Sequence, residues 1–208
     1  MPADKTSELT NGVPVNVGTY KLVVEDKNEI KAGQFYMLKL NGGTFLPRPI
    51  SICSKDKNTL TFLYAVVGNG TKEFAKLRES DEISLTGPLG NGFNIEKKYG
   101  KVALVSGGIG TAPMFELAKR LRTKNPDGKI DLYSGFRDDI YLVDDFKEYV
   151  NDIKVSTNTG KHGHKGFVTD LLKVEEYDTV LCCGPEVMMK KVIEMCKEKN
   201  VTVYVSME

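Results

Sequence analysis

Between residues 19 and 85 the apolar positions come in short runs, several of them alternating with polar ones. Thr19-Tyr-Lys-Leu-Val-Val, Gln34-Phe-Tyr-Met-Leu-Lys-Leu, Ile50-Ser-Ile-Cys, Leu60-Thr-Phe-Leu-Tyr-Ala and Glu82-Ile-Ser-Leu each read as a strand. Clusters of Lys, Asn, Asp and Gly separate them, which is the pattern of a small antiparallel barrel. Residues 72–77 fit a short helix with Thr71 as N-cap. From Lys101 the period changes, and strand-like runs alternate with helical ones. Strands are expected at 102–106, 129–134, 153–156, 179–183 and 201–205. Helices are expected at 112–123, 144–150, 167–172 and 186–199. Such alternation means parallel strands joined by crossover helices. The predicted architecture is therefore β followed by α/β in two domains: an antiparallel β-barrel over 1–97, then a parallel-sheet α/β domain over 98–208. The boundary falls in the polar stretch 95–100. No internal repeat or low-complexity segment is visible.

The 208 residues suffice for two such small domains. A formal net charge of +1 gives no general electrostatic case for nucleic acid or an anionic membrane. No apolar run approaches the roughly 20 residues that span a bilayer, and Met1-Pro-Ala-Asp-Lys-Thr-Ser lacks the apolar core of a signal peptide. A cytoplasmic location is the default expectation. The cysteines are Cys53, Cys182, Cys183 and Cys196, with no C-x-x-C spacing, so no zinc or dithiol site is expected. His162 and His164 flank Gly163 in a polar loop, where solvated histidines are the commoner case and a metal pair the alternative.

Two stretches carry candidate chemistry. In Val102-Ala-Leu-Val-Ser-Gly-Gly-Ile-Gly-Thr-Ala-Pro-Met114 an apolar strand runs into a Gly-Gly-x-Gly turn and then a helix. That order cradles a dinucleotide pyrophosphate, because glycine lets the backbone approach phosphate and the first helical turn offers unpaired N–H groups. Pro113 suits that first turn. The spacing is not the Rossmann G-x-G-x-x-G, and a purely structural strand–helix turn is the alternative. In Leu46-Pro-Arg-Pro-Ile-Ser51 two prolines hold the chain extended around one arginine. Arg48 suits a bidentate phosphate contact and Ser51 a single hydrogen bond; an edge strand with a solvated arginine fits these six residues as well.

Arg48-Pro-Ile-Ser51, Gly68-Asn-Gly-Thr71, Gly87-Pro-Leu-Gly90, Gly107-Gly-Ile-Gly-Thr-Ala-Pro113 and Cys183-Gly-Pro185 stand in the order seen in the ferredoxin–NADP reductase superfamily. Within it the chain most resembles the electron-transfer subunits of class 1B dihydroorotate dehydrogenases, whose flavin signature also reads Arg-Pro-Ile-Ser. The resemblance runs from about Val17 to Glu208 and covers nearly the whole chain.

The resemblance implies FAD on the barrel, held by Arg48, Pro49, Ile50 and Ser51, with Arg48 on the pyrophosphate and Ser51 near flavin N5. Many superfamily members carry tyrosine at the third position; Ile50 would cover the flavin ring without aromatic stacking. Leu63, Tyr64 and Ala65 on the next strand would contact the flavin, half-buried strand packing being the alternative for Tyr64. Gly70 and Thr71 would open a short helix facing an FAD phosphate, its dipole worth about 0.3–1 kcal/mol; a hairpin turn is the alternative for Gly68-Asn-Gly70. In the NAD-binding domain Gly107, Gly108, Gly110, Thr111 and Pro113 would form the pyrophosphate turn. Gly135-Phe-Arg-Asp-Asp139 lies where adenosine ribose is read. One cation, Arg137, followed by Asp138 and Asp139 favours NADH over NADPH, with Asp139 on the ribose. Cys183, Gly184 and Pro185 would lie near the nicotinamide, or else mark a strand end before a helix-starting proline. Ser51 and Cys183 are the candidates at the reacting atoms. The superfamily places these cofactors in a cleft between its two domains.

The family also carries a [2Fe–2S] cluster on a cysteine-rich C-terminal segment. The sequence reaches Val205-Ser-Met-Glu208 where the family runs on into that segment, and its scattered cysteines match none of the family's ligand spacing. Either the full product continues into that segment, or the protein works without the cluster. The implied function is hydride exchange between NADH and FAD, with single electrons passed on to an FMN-containing dihydroorotate dehydrogenase catalytic subunit in a hetero-oligomer, coupling NAD to pyrimidine biosynthesis. The alternatives are a stand-alone NAD(P)H-dependent flavin or ferredoxin reductase, and a non-catalytic dinucleotide-binding sensor.

Overall fold

Leu22 and Val24, Tyr36 and Leu38, Leu60 and Phe62, Ile83 and Leu85 are pairs two residues apart, and all eight side chains are fully buried. Alternation on a strand puts such pairs on one face, and here the faces close on one another. The computed structural model describes residues 4–40 and 46–207, giving only the backbone at 4, 5, 8, 10 and 11; the first residues of the N-terminal stretch read above lie outside it. The strands are β1 (Asp4–Asn16), β2 (Thr19–Glu25), β3 (Phe35–Leu40), β4 (Arg48–Asp56), β5 (Thr59–Ala65) and β6 (Glu82–Leu89). They form a closed barrel in the order β1-β2-β5-β4-β3-β6. Its interior is filled by those pairs together with Leu9, Ile52 and Tyr64. Deleting a ring such as Phe62 from this core would cost about 3–5 kcal/mol.

The pattern of apolar residues gives no sign of β1. Its sequence Asp-Lys-Thr-Ser-Glu-Leu-Thr-Asn-Gly-Val-Pro-Val-Asn contains Gly12 and Pro14, and its pairing with β2 shifts register between Leu9 and Asn11 and again between Pro14 and Asn16. Backbone pairing holds it: β1 bonds to β2 on one side and β6 on the other, which closes the barrel and leaves no free edge. The helix expected at 72–77 is displaced. Helix α1 spans Asn69–Phe74 and is N-capped by Gly68, so Thr71 is its third residue and not its cap.

By contacts the chain divides into two units after Phe93. The second holds β7 (Val102–Gly107), β8 (Ile130–Phe136), β9 (Asp152–Thr157), β10 (His164–Lys165), β11 (Thr179–Cys183) and β12 (Thr202–Ser206). All are parallel, in the order β10-β9-β8-β7-β11-β12. Every residue of β7 is buried, as a central strand covered on both faces must be. Helix α2 (Thr111–Lys124) covers one face. Helix α3 (Glu186–Glu198) covers the other, setting Met189, Val192 and Cys196 against Val180 and Cys182.

Two expected helices are only single 3-10 turns, at Asp145–Glu148 and Val168–Asp170. The first offers the core just one buried side chain, Phe146, too little to support a longer helix. In the second the Asp170 carboxylate accepts the Phe167 N–H at 2.8 Å, tying the chain into one turn.

Candidate functional site

In the barrel unit the motif around Arg48 opens β4. Arg48 is half-buried, and its Nη1 donates to the Leu46 carbonyl at 2.9 Å. The rest of the guanidinium lies on α1: a β-carbon at Gly70 would meet Nε at 2.7 Å and Nη2 at 2.9 Å. The two motifs, twenty residues apart in sequence, thus form one surface because position 70 has no side chain. Pro49 is exposed, Ile50 packs partly against the barrel core, and Ser51 is half-buried opposite Phe35 on β3.

Other residues of this group are turned inward. The Thr71 hydroxyl accepts from the N–H groups of Val67 (3.0 Å) and Gly68 (3.1 Å) and donates to the Gly68 carbonyl. It holds the loop into α1 and does not face outward. Leu63 and Tyr64 are each only 2% exposed. The Tyr64 ring lies between Tyr20 and Phe74, with centroids 6.0 and 5.9 Å away, and burial pushes its hydroxyl pKa up. What β5 offers a ligand at this point is backbone, ending at half-buried Ala65.

In the second unit the strand order reverses between β7 and β11. In open parallel sheets ligands bind at the carboxyl ends of the strands flanking such a switch point. Both glycine motifs lie there. β7 ends at Gly107, a 3-10 turn Gly108–Gly110 follows, and α2 starts at Thr111. Gly108 has φ +54°, which glycine adopts without strain. β11 ends at Cys183, and Pro185 caps α3.

The two turns touch backbone to backbone. A β-carbon at Gly110 would come within 2.6 Å of the Cys183 carbonyl oxygen and 2.7 Å of Gly184 Cα; one at Gly184 would come within 2.8 Å of the Gly107 nitrogen. At Gly107 it would meet Pro185 Cδ at 2.7 Å and Met188 Sδ at 2.8 Å. Sequence reasoning missed Met188, whose only signal is its place three residues beyond Pro185. Pro113 lies buried in the first turn of α2. The Thr111 hydroxyl points inward to Ser106 and Ser134.

The segment after β8 is partly committed to structure. Asp138 Oδ1 accepts the Thr159 N–H at 3.1 Å and also the Thr159 hydroxyl, so it anchors the loop after β9. Asp139 is half-exposed and lies 3.7 Å from Lys161. Of the expected ribose-reading carboxylates, Asp139 is the one left at the surface.

The four cysteines are buried thiols. Alternation on β11 sends Cys182 to the α3 face, where it packs with Cys196, and Cys183 to the opposite face. Burial pushes Cys182 up to about 12 and Cys196 up to about 11. Cys53 lies on β4 in the other unit. These thiols do not fit an iron–sulfur cluster, which needs four of them around two irons. Among the described residues no three His, Cys, Asp or Glu side chains converge as metal ligands. Among the same residues no helix is long and apolar enough to cross a membrane.

Residues 104–194 match the family model of the oxidoreductase NAD-binding domain. The structure superposes with a TM-score of 0.85 on an NADH-dependent reduced ferredoxin-NADP oxidoreductase solved in a study of flavin-based electron bifurcation, at 28% identity, covering 97% of this chain and 76% of that one. It shares its fold with a ferredoxin NADP+ reductase from Neisseria gonorrhoeae (TM-score 0.75, 15% identity, 98% and 99% covered). In sequence it is 66% identical, over 92% of its length, to 77% of the dihydroorotate dehydrogenase B (NAD(+)) electron transfer subunit of Clostridium perfringens. The barrel, the parallel sheet and this identity lead to one assignment: the chain belongs to the family of dihydroorotate dehydrogenase B (NAD(+)) electron transfer subunits.

Proposed function

We propose that this chain binds FAD on its barrel, exchanges hydride with NADH, and passes electrons to a dihydroorotate dehydrogenase catalytic subunit in a hetero-oligomer. The carrying observation is the meeting of two glycine turns, at 107–110 and 183–185, where the strand order reverses. There backbone N–H groups and a close-packed glycine surface suit a pyrophosphate, with Cys183, Gly184 and Pro185 beside it for the nicotinamide. Arg48 would hold the FAD pyrophosphate through its planar fork, aided by Pro49, Ile50 and Gly70, with Ser51 near the reacting edge of the ring. Bound FAD supplies the hydride acceptor and the means of splitting a hydride into single electrons. The protein's share is to hold the nucleotides and orient them.

Asp139 would accept a ribose hydroxyl and disfavour a 2′-phosphate, which makes NADH the preferred nucleotide. The name and 66% identity of the Clostridium perfringens relative support the electron-transfer role and the partner. The test is to co-express the chain with an FMN-bearing dihydroorotate dehydrogenase subunit and look for co-purification. NADH-dependent reduction of the partner's flavin supports the reading. A colourless chain that ignores both partner and NADH contradicts it.

A further inference from the structure

Ser106 near the end of β7 and Ser134 on β8 are in register on neighbouring parallel strands. Thr111 is the first residue of α2. All three are completely buried. Their hydroxyl oxygens form a triangle: Ser106–Ser134 at 2.6 Å, Thr111–Ser106 at 3.0 Å and Thr111–Ser134 at 3.0 Å. Thr111 donates to Ser106. With Ser106 donating to Ser134 and Ser134 to Thr111, each hydroxyl gives one proton and receives one, so the ring closes and no donor is left over.

This arrangement lies directly beneath the 107–110 turn. The turn is also held from the side, where Gly110 abuts the Cys183 carbonyl. We infer that Ser106, Thr111 and Ser134 are positioning residues: the hydroxyl ring fixes the start of α2 against two strand ends and so pre-organises the turn for a pyrophosphate. The three buried hydroxyls bond to one another, so none of them is offered to the nucleotide. Their effect is that the turn does not have to be ordered when the nucleotide binds, a cost that otherwise weakens affinity. The inference rests on the proposed nucleotide site.

The test uses the FAD-loaded full chain and ADP-ribose, which carries the pyrophosphate without the nicotinamide. Thr111→Val keeps the shape and removes one hydroxyl; Thr111→Ser keeps the hydroxyl. Calorimetric titration should show roughly three- to tenfold weaker ADP-ribose binding in Thr111→Val and in Ser134→Ala, as for one lost buried hydrogen bond. Thr111→Ser should bind like wild type. In Ser134→Ala, which leaves the turn's own residues intact, KM for NADH should rise by the same factor with flavin reduction at saturating NADH unchanged. Wild-type ADP-ribose affinity in Thr111→Val, even with a lowered Tm, overturns the inference and leaves the nucleotide site standing. A wild-type protein that binds no ADP-ribose overturns both.

Discussion

The guanidinium of Arg48 rests on the α-carbon of Gly70, so close that any side chain at position 70 would enter the space of Nε at 2.7 Å. One motif supplies the charge and the other supplies the room for it. Arg48→Ala should weaken FAD binding by the worth of a charged hydrogen bond, about 1.5–3 kcal/mol, or very roughly ten- to a hundredfold. Gly70→Ala should push the guanidinium off its seat and weaken FAD in the same direction while Arg48 is still present. Fluorescence titration of the apoprotein with FAD checks both, and unchanged affinity in either variant would count against the assignment.

Gly110→Ala separates the two units. Its new methyl would collide with the Cys183 carbonyl oxygen at 2.6 Å, and backbone cannot yield as a flexible side chain does. FAD content should stay at the wild-type level, since the barrel is untouched. The rate of flavin reduction at low NADH should fall by roughly ten- to a hundredfold, the range for a misplacement of about 1 Å. Stopped-flow reduction of the bound flavin reads this directly.

In the proposed site the nucleotide preference would turn on a single carboxylate. Asp138 is tied to Thr159, which would leave Asp139 to meet a 2′-phosphate, with Lys161 3.7 Å away to soften its charge. NADH should reduce the flavin faster than NADPH. Asp139→Asn should narrow the gap and Lys161→Glu should widen it, each modestly, because both side chains are solvent-screened. Faster reduction by NADPH in the wild type would mean that the ribose is read elsewhere.

Both halves of this architecture are legible in the sequence because their signals are local. Pairs such as Leu60 and Phe62 alternate, and the 102–106 run ends in a glycine turn. Most of what escaped was set by distant partners. β1 has no apolar rhythm, and only the open edges of β2 and β6 call it into the barrel. Thr71 looks like an N-cap by residue type, yet Gly68 takes that place because the threonine hydroxyl is occupied with the N–H groups of Val67 and Gly68. Tyr64 belongs to an aromatic cluster with Tyr20 and Phe74 that no spacing along β5 reveals. Ser106, Thr111 and Ser134 meet only once two strands lie side by side.

Stability should fall as pH rises above about 9. Cys182 and Cys196 are pushed up to about 12 and about 11 from a usual 9.0, so in that window the unfolded chain loses thiol protons that the folded one keeps. A group with a raised folded-state pKa contributes fully below its unfolded value, and that contribution drains away as pH climbs toward the folded one. The urea midpoint should therefore drop between pH 8.5 and roughly 10.5, and Cys196→Ala should show a shallower drop. A midpoint independent of pH across that range would show that these thiols ionise equally in both states.

A polypeptide of residues 1–208 should hold no stoichiometric iron or acid-labile sulfide, because Cys182 and Cys183 face opposite sides of β11 while Cys53 and Cys196 sit on other elements. Elemental analysis checks this, and two irons per chain would require a rearranged sheet.

Anaerobic titration of the purified chain with NADH, followed in the visible flavin bands, is the most direct measurement. The chain should purify yellow, and about one equivalent of NADH should bleach it completely, since hydride transfer moves the electron pair that reduces one flavin. A preparation without flavin, or one whose colour survives excess NADH, would contradict the assignment of FAD to the barrel and NADH to the 107–110 turn.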